Sequence, residues 1–142
     1  MPAAELVHMC TINAQLGPMI EVGNGPKGTR IVVNVPSLSV TSERLNAQLA
    51  TDDAADWLTI ANDGTGLLDV RFTLETDDGA FIYVEYQGRA NMAEGLIATA
   101  PTFQTGDERY LWLNSVQAVA AGHLNGDTGK LVYEVYEVKV TA

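Results

Sequence analysis

The chain has 142 residues, and 18 acidic against 8 basic side chains give it a formal net charge of −10. Such an acidic surface opposes contact with a phosphate backbone or an anionic bilayer, so we expect neither nucleic acid nor membrane as a partner. No apolar run approaches the roughly 20 residues of a membrane-spanning helix, and the start MPAAEL lacks the features of a leader, which predicts a cytoplasmic protein.

Strand patterns follow one another along this single expected domain, residues 1–142. In chain order they are LVHMCTI, TRIVVNVPSLSV, WLTIAND, the stretch from Leu67 to Gly88, RYLWLNSVQAVAA and KLVYEVYEVKV. The intervening GNGPKG, NDGTG, DDG, TGDE and NGDTG are rich in turn-forming residues. Because the edges of so many strands must be hidden, the pattern predicts an all-β antiparallel fold, either a closed barrel or a sandwich.

One segment is ambiguous between helix and strand. In TSERLNAQLA, from Thr41, the polar start and the later leucines are compatible with a short capped helix. Its neighbours on both sides have strand patterns, so the residues alone leave the alternatives open.

The stretch from Leu67 to Gly88 has the pattern of a β-hairpin whose register depends on its turn. A two-residue loop at Asp78-Gly79 would spread its charged residues over both faces. A three-residue loop that ends at Gly79, with the glycine in the left-handed conformation, gives one apolar face and is the register we predict. It pairs Leu74 with Ile82, Phe72 with Val84 and Val70 with Tyr86, and it places Asp69, Arg71, Thr73, Glu75, Phe81, Tyr83, Glu85 and Gln87 on the opposite face.

Several motifs of common chemistries fail on their context. GNGPKG has spaced glycines, but a strand pattern follows it where a dinucleotide site needs a helix. NGDTGKL has the wrong glycine spacing for a phosphate loop, and the chain has no GxSxG motif. His8 and His123 are far apart and Cys10 is the single cysteine, so we expect no metal site, no cofactor and a buried structural thiol.

Polar and aromatic residues on the predicted strands are the remaining candidates for a site. They are Asp56, Trp57, Arg71, Tyr83, Glu85, and Tyr110, Trp112 and Asn114 of YLWLN on one face. Aromatic rings give apolar walls with polar tips, and a buried charge needs a partner, so such a face can line a small-molecule pocket. The alternative is that Arg71, Glu75 and Glu85 form exposed cross-strand pairs, which are common on sheets.

These residues also carry a resemblance to a known family. AADW (54–57), NDGTGLLDVRFTLETDDGAFIYVEYQG (62–88) and PTFQTGDERYLWLN (101–114) resemble the bacterial family of the domain of unknown function 3237. The resemblance implies a small antiparallel barrel of the kind shared with allene oxide cyclases and dirigent proteins, and a strand through residues 43–49. The family brings no settled chemistry with it. NVPSLSVT and the short segment between Gly88 and Pro101 depart from its pattern, which implies a different barrel mouth.

Two functional hypotheses follow. The first is a cofactor-free isomerase, cyclase, hydratase or lyase that acts by acid/base catalysis on a hydrophobic, unsaturated or carbonyl-bearing metabolite in the lumen. Its expected roles are Glu85 or Asp56 as base, Arg71 and Asn114 as oxyanion donors, Tyr83 as acid, and Trp57, Phe103, Tyr110 and Trp112 as walls. The second is a non-catalytic ligand-binding barrel or scaffold. We further expect a homodimer, and Arg71 in a cavity with Tyr83, Trp112 and a carboxylate.

Overall fold

The computed structural model describes all 142 residues, and it confirms the all-β barrel. Its strands are β1 (Ala3–Gln15), β2 (Met19–Gly25), β3 (Gly28–Asn34), β4 (Ser37–Thr41), β5 (Ala47–Leu49), β6 (Ala55–Ile60), β7 (Thr65–Thr76), β8 (Phe81–Asn91), β9 (Leu96–Thr99), β10 (Thr102–Gln104), β11 (Ala118–Asn125) and β12 (Lys130–Thr141). A 3₁₀ helix, Glu108–Ser115, lies between β10 and β11. No helical segment has the length and hydropathy that crossing a membrane requires.

Eight strands close the barrel through antiparallel hydrogen bonding. The circuit runs β8, β9, β11, β12, β1, β4, β5, β7 and back to β8. The first half of β7 pairs with β6, β6 pairs with β3, and β3 pairs with β2, which has no partner on its other edge. We call β2, β3 and β6 the extension, because they leave the closed circuit at one side.

The hairpin of β7 and β8 confirms the predicted register. Leu74 faces Ile82, Phe72 faces Val84 and Val70 faces Tyr86. Gly79 has a φ of 91°, as the three-residue loop requires. These apolar side chains are buried in one core cluster of 26 residues, to which β1, β4, β8, β11 and β12 also contribute. The lumen of the barrel is therefore filled by the apolar faces of its strands.

The two ends of the barrel differ. At one end, which we call the closed end, the β7–β8 turn, the β4–β5 connection and the 3₁₀ helix lie together: Tyr110 donates to Asp78 Oδ1 at 2.8 Å, and the N–H of Asp77 donates to the carbonyl of Asn46 at 3.0 Å. At the opposite, open end, the β8–β9 and β11–β12 turns lie beside the β1–β2 link. There the N–H of Leu124 donates to the carbonyl of Gly95 at 2.9 Å.

Two local predictions need correction. RYLWLN forms a 3₁₀ helix and not a strand, because the Asp107 side chain caps its start by accepting from the N–H of Arg109. In the ambiguous segment, the Ser42 hydroxyl accepts from the N–H of Leu45 at 2.8 Å and makes a turn. Of the strand through residues 43–49 that the resemblance implies, only Ala47–Leu49 is formed, as β5.

Candidate active site

The predicted charged residues of the hairpin lie outside the lumen. Arg71 and Glu85 are exposed cross-strand partners on the outer face. Tyr83, also on this face, donates to Glu85 Oε2 at 2.9 Å. The expectation that Arg71 points into a cavity with Tyr83 and Trp112 is wrong, because Phe72 and the other apolar residues of β7 fill the lumen. Tyr83 and Glu85 therefore form a hydrogen bond with each other at the protein surface.

The aromatic and amide candidates of the PTFQTGDERYLWLN segment have structural positions at the closed end. Phe103 is buried in the core. Trp112 packs beneath Arg44, whose guanidinium carbon lies 3.7 Å from the ring centroid. Asn114 binds the backbone of Thr105 twice, accepting from its N–H at 2.8 Å and donating to its carbonyl at 2.9 Å. With Tyr110 bound to Asp78, none of these side chains lines the cavity described below.

Asp56 is the predicted residue that the fold places in a cavity. Strand β6 alternates, so Asp56 and Leu58 face inward with Val70 of β7, while Trp57 faces outward. The half-buried Trp57 ring lies 5.0 Å from the guanidinium carbon of Arg71. The structure thus brings Asp56, Trp57 and Arg71 near one another but on two sides of the sheet.

The cavity lies where the extension leaves the open end of the barrel. The cavity has a volume of about 70 Å³, and 14 of its 17 lining residues are hydrophobic. The lining consists of Leu16, Met19, Val33, Val35, Asp56, Leu58, Leu68, Val70, Tyr86, Ala90, Asn91, Met92, Gly95, Ile97, Leu124, Leu131 and Tyr133. It contains one carboxylate and no Lys, Arg or His, which makes Asp56 its single charged group.

Burial changes the acidity of Asp56. It raises the pKa of the carboxyl to about 6, against an ordinary value of 3.8. The N–H of Asp69, which donates to Asp56 Oδ1 at 3.1 Å, opposes the rise, as does the positive charge of Arg30, while the negative charge of Asp69 adds to it. Near neutral pH the group is an ionised carboxylate that accepts a proton more readily than an ordinary aspartate.

Two tyrosines accompany Asp56 in the lining. The rings of Tyr86 and Tyr133 meet edge to face with centroids 5.7 Å apart, and only 6% and 2% of these residues is exposed. Burial raises the pKa of both phenols, and in each case the charge of Asp56 raises it further. Both hydroxyls therefore remain protonated near neutral pH and can act as hydrogen-bond donors.

The Tyr133 hydroxyl is buried and has no hydrogen-bond partner. The neighbouring Tyr86 hydroxyl opposes the rise in the pKa of Tyr133, but the two hydroxyls do not reach hydrogen-bonding geometry. The other buried oxygen without a partner, Oγ1 of Thr99, is not in the cavity lining. A buried unpaired hydroxyl costs about 1–3 kcal/mol, and an acceptor bound beside it in the cavity would offset that cost.

Gly122 makes the position of Tyr133 possible. The two residues are directly opposite on β11 and β12. A Cβ atom on Gly122 would lie 2.3 Å from Cε1 of the Tyr133 ring. Because Gly122 has no side chain, the Tyr133 ring lies directly over its backbone.

Sequence analysis missed both tyrosines as site residues. Tyr86 and Tyr133 lie on alternating apolar faces, where a tyrosine resembles any other core aromatic. The available signal was a hydroxyl on an otherwise apolar face, which needs a buried partner.

No group of three or more His, Cys, Asp and Glu is positioned to hold a metal ion. Cys10 is buried, and burial raises its pKa to about 12.

Three known proteins illustrate what the chain is similar to. A UPF0311 protein of Bradyrhizobium diazoefficiens is 28% identical over 96% of this chain and 98% of its own length. A crystal structure of a beta-barrel like protein from Acinetobacter baumannii superimposes with a TM-score of 0.86 at 25% identity, covering 98% of each chain. An enzyme from Penicillium herquei has a TM-score of 0.70 at 21% identity over 97% of this chain and 95% of its own, a likeness that shows the fold alone.

The family model described as protein of unknown function (DUF3237) matches residues 4–99 and 90–138. Together these ranges span most of the chain and include every residue that lines the cavity. A conserved protein of unknown function from Rhodopseudomonas palustris shares the fold, with a TM-score of 0.87 at 24% identity over 98% of this chain and 100% of its own. The resemblance noted in the sequence is confirmed, and the chain belongs to the DUF3237 family.

Proposed function

We propose that the protein is an enzyme that moves a proton on a hydrophobic, carbonyl-bearing or unsaturated metabolite, with Asp56 as general base and the Tyr133 hydroxyl as donor to the developing oxyanion. The observation that carries the proposal is the half-buried carboxylate with a pKa raised to about 6, beside an unpartnered phenol in an apolar cavity. Perturbed ionisable groups in apolar cavities are typical of acid/base sites.

The proposed step uses only side chains of the cavity. The Asp56 carboxylate takes a proton from the carbon next to a carbonyl, and the C–H electron pair forms the C=C bond of an enolate. The carbonyl electrons move to oxygen, which accepts a hydrogen bond from Tyr133. Return of the proton from Asp56, to the same carbon or another, completes an exchange or an isomerisation. Cyclisation, hydration and elimination contain a related proton transfer.

Arg71, Glu85, Tyr83 and Asn114 have no part in this proposal, since they lie outside the cavity. Of the residues expected from sequence, Asp56 keeps its role as base. The role of oxyanion donor passes to Tyr133. Phe103, Tyr110, Trp57 and Trp112 are replaced as walls by aliphatic side chains such as Leu58, Leu68 and Leu131.

The test is deuterium exchange of 2-tetralone, a hydrophobic ketone with acidic hydrogens beside its carbonyl, in D₂O followed by proton NMR. We expect the protein to accelerate exchange above the buffer rate, and Asp56→Asn to lower the protein-catalysed rate by at least about 10²-fold. The matched control is Glu85→Gln, which removes an exposed carboxylate from the outer face and should leave the rate unchanged. Equal rates in Asp56→Asn and the parent protein would refute the assignment.

A ligand-binding barrel is the second candidate function, and the predominance of apolar side chains in the lining favours it. Such a barrel would bind the ketone without exchanging its hydrogens. Saturable binding of 2-tetralone with no exchange above buffer would therefore replace the enzyme proposal by this one.

A further inference from the structure

The unpartnered hydroxyl limits what the cavity can bind well. Tyr133 is 2% exposed, lines the cavity and finds no acceptor within the protein. A ligand without an acceptor atom leaves this donor unsatisfied, whereas a ligand with a suitably placed oxygen satisfies it. The cavity thus favours a molecule that has one hydrogen-bond-accepting oxygen on an otherwise apolar body.

The charges around the cavity limit the ligand further. Asp56 is the single charge of the lining. Among the neighbouring groups that act on Asp56, Asp69 of β7 is also negative, and the one cation is Arg30 of β3. The Arg30 guanidinium is turned to the backbone, donating to the carbonyl of Trp57 at 2.7 Å. A carboxylate ligand would enter beside a like charge with no cation in the lining, at low effective dielectric.

We infer that the cavity selects uncharged molecules with a single carbonyl-type oxygen, which accepts from Tyr133, and excludes molecules that carry a carboxylate. This inference rests on the proposed function in one respect, namely that the same cavity holds the substrate. It adds the class of that substrate: a neutral apolar ketone, aldehyde, ester or quinone-like compound.

Three bicyclic probes of nearly equal size test the inference by isothermal titration calorimetry on the intact protein: 2-tetralone, tetralin and 1,2,3,4-tetrahydro-2-naphthoate. We expect 2-tetralone to bind at least about fivefold more tightly than tetralin, which lacks the oxygen. The carboxylate should bind at least about tenfold more weakly than 2-tetralone near pH 8, where Asp56 is charged. A carboxylate that binds as tightly as the ketone overturns the inference, and so does failure of all three to bind.

Two variants connect these preferences to their residues. Tyr133→Phe should abolish the preference for 2-tetralone over tetralin, and Asp56→Asn should reduce the discrimination against the carboxylate. Tyr83→Phe is the matched control, since Tyr83 lies on the outer face and binds Glu85. An unchanged preference in Tyr133→Phe overturns the assignment of the donor.

Binding and exchange separate the two proposals. Selective binding of 2-tetralone without exchange of its hydrogens supports the ligand class and contradicts the catalytic function. Exchange dependent on Asp56 together with tight binding of the carboxylate supports catalysis and overturns the ligand class. The amine 2-aminotetralin completes the test: if it binds more tightly than 2-tetralone, Asp56 recognises a cation and the preference for uncharged molecules is refuted.

Discussion

Asp56 occupies a position where function and stability oppose one another. The alternation of β6 points the Asp56 carboxylate inward, among apolar side chains such as Leu58. The desolvation of this carboxylate is offset only by one hydrogen bond from the N–H of Asp69 and by the nearby positive charge of Arg30. Desolvation of this kind favours the protonated form. An apolar residue of similar size would cost less desolvation at this position, which supports the proposed chemistry in the cavity.

The raised pKa predicts how Asp56→Asn changes stability with pH. Because the folded pKa of about 6 exceeds the ordinary 3.8, the folded protein binds this proton more tightly than the unfolded chain. The contribution of Asp56 is therefore most favourable below about pH 4 and is lost as pH rises through about 6. As the pH rises from about 4 to about 8, the free energy of unfolding of Asp56→Asn should increase by about 2 kcal/mol relative to that of the parent protein. Urea unfolding at each pH measures this difference.

Glu85→Gln provides the reference for this experiment, since Glu85 is exposed and its difference from the parent protein should vary much less over the same pH range. A gap between Asp56→Asn and the parent that stays constant with pH would show that Asp56 is not desolvated in the folded state.

The same pKa predicts the pH profile of the proposed reaction. A general base works in its ionised form, so the rate of 2-tetralone exchange per enzyme, after subtraction of the buffer rate, should rise with pH to a plateau with a midpoint at about 6. Glu85→Gln should keep this midpoint. A protein-catalysed rate that falls as pH rises through this region would assign the reaction to a group that acts in its protonated form.

Gly122 offers a test of the tyrosine position that leaves every polar group in place. In Gly122→Ala the new Cβ would overlap the buried Tyr133 ring. We expect a loss of about 1–3 kcal/mol of stability and weaker binding of 2-tetralone relative to tetralin. Ala121→Ser, at the exposed neighbouring position, is the control for strand effects. Unaltered stability and ligand preference in Gly122→Ala would mean that the ring is not held where the structure places it.

Among the elements, the hairpin was predictable and the 3₁₀ helix was not. In the hairpin, the alternation of β7 and β8 and the turn chemistry of Asp-Asp-Gly specify the same register, so local pattern suffices. In YLWLN the alternation imitates a strand. The helix depends on hydrogen bonds of flanking residues, the cap at Asp107 and the two bonds between Asn114 and Thr105, which hydrophobic periodicity does not reveal.

The β7–β8 turn gives a prediction at this scale. Gly79 has a φ of 91°, a conformation that a β-branched side chain adopts only with strain, although space around it is open. Gly79→Val should therefore lower the free energy of unfolding by more than about 1 kcal/mol. Gly106→Val, at an uncrowded glycine without positive φ, is the control. Equal melting temperatures for the two variants would contradict a strained turn.

For the whole molecule, the sequence predicted two chemically distinct sheet faces but not which one lines the barrel. The ring-bearing face of the hairpin was expected inside, yet closure with eight strands leaves a lumen that side chains fill, and the apolar face supplies the better packing. Asp56 was predictable as a candidate site residue, because it is a carboxylate beside Trp57 at a predicted strand. Tyr133 was not, because its role depends on the cavity that forms only when the extension, β8 and β12 come together.

The net charge predicts the behaviour of the whole molecule toward nucleic acid. With 18 acidic and 8 basic residues, the protein has few cations that could displace the counterions of DNA. It should pass unretained through heparin and DNA resins at about 150 mM salt. Retention on the DNA resin under these conditions would reveal a basic surface that the net charge conceals. The expected homodimer stays a prediction, which sedimentation of the same sample would check.

The one-sided pairing of β2 has a consequence for amide protection. Each strand of the closed circuit has a hydrogen-bonded neighbour on both sides, whereas β2 bonds to β3 alone. Local unfolding that detaches β2 breaks no bond of the circuit, so its amides should be protected less than those of β12. Met19 at the start of β2 lines the cavity, and the same opening would uncover the cavity mouth. A strand held along one edge thus lies at the mouth of the proposed binding cavity.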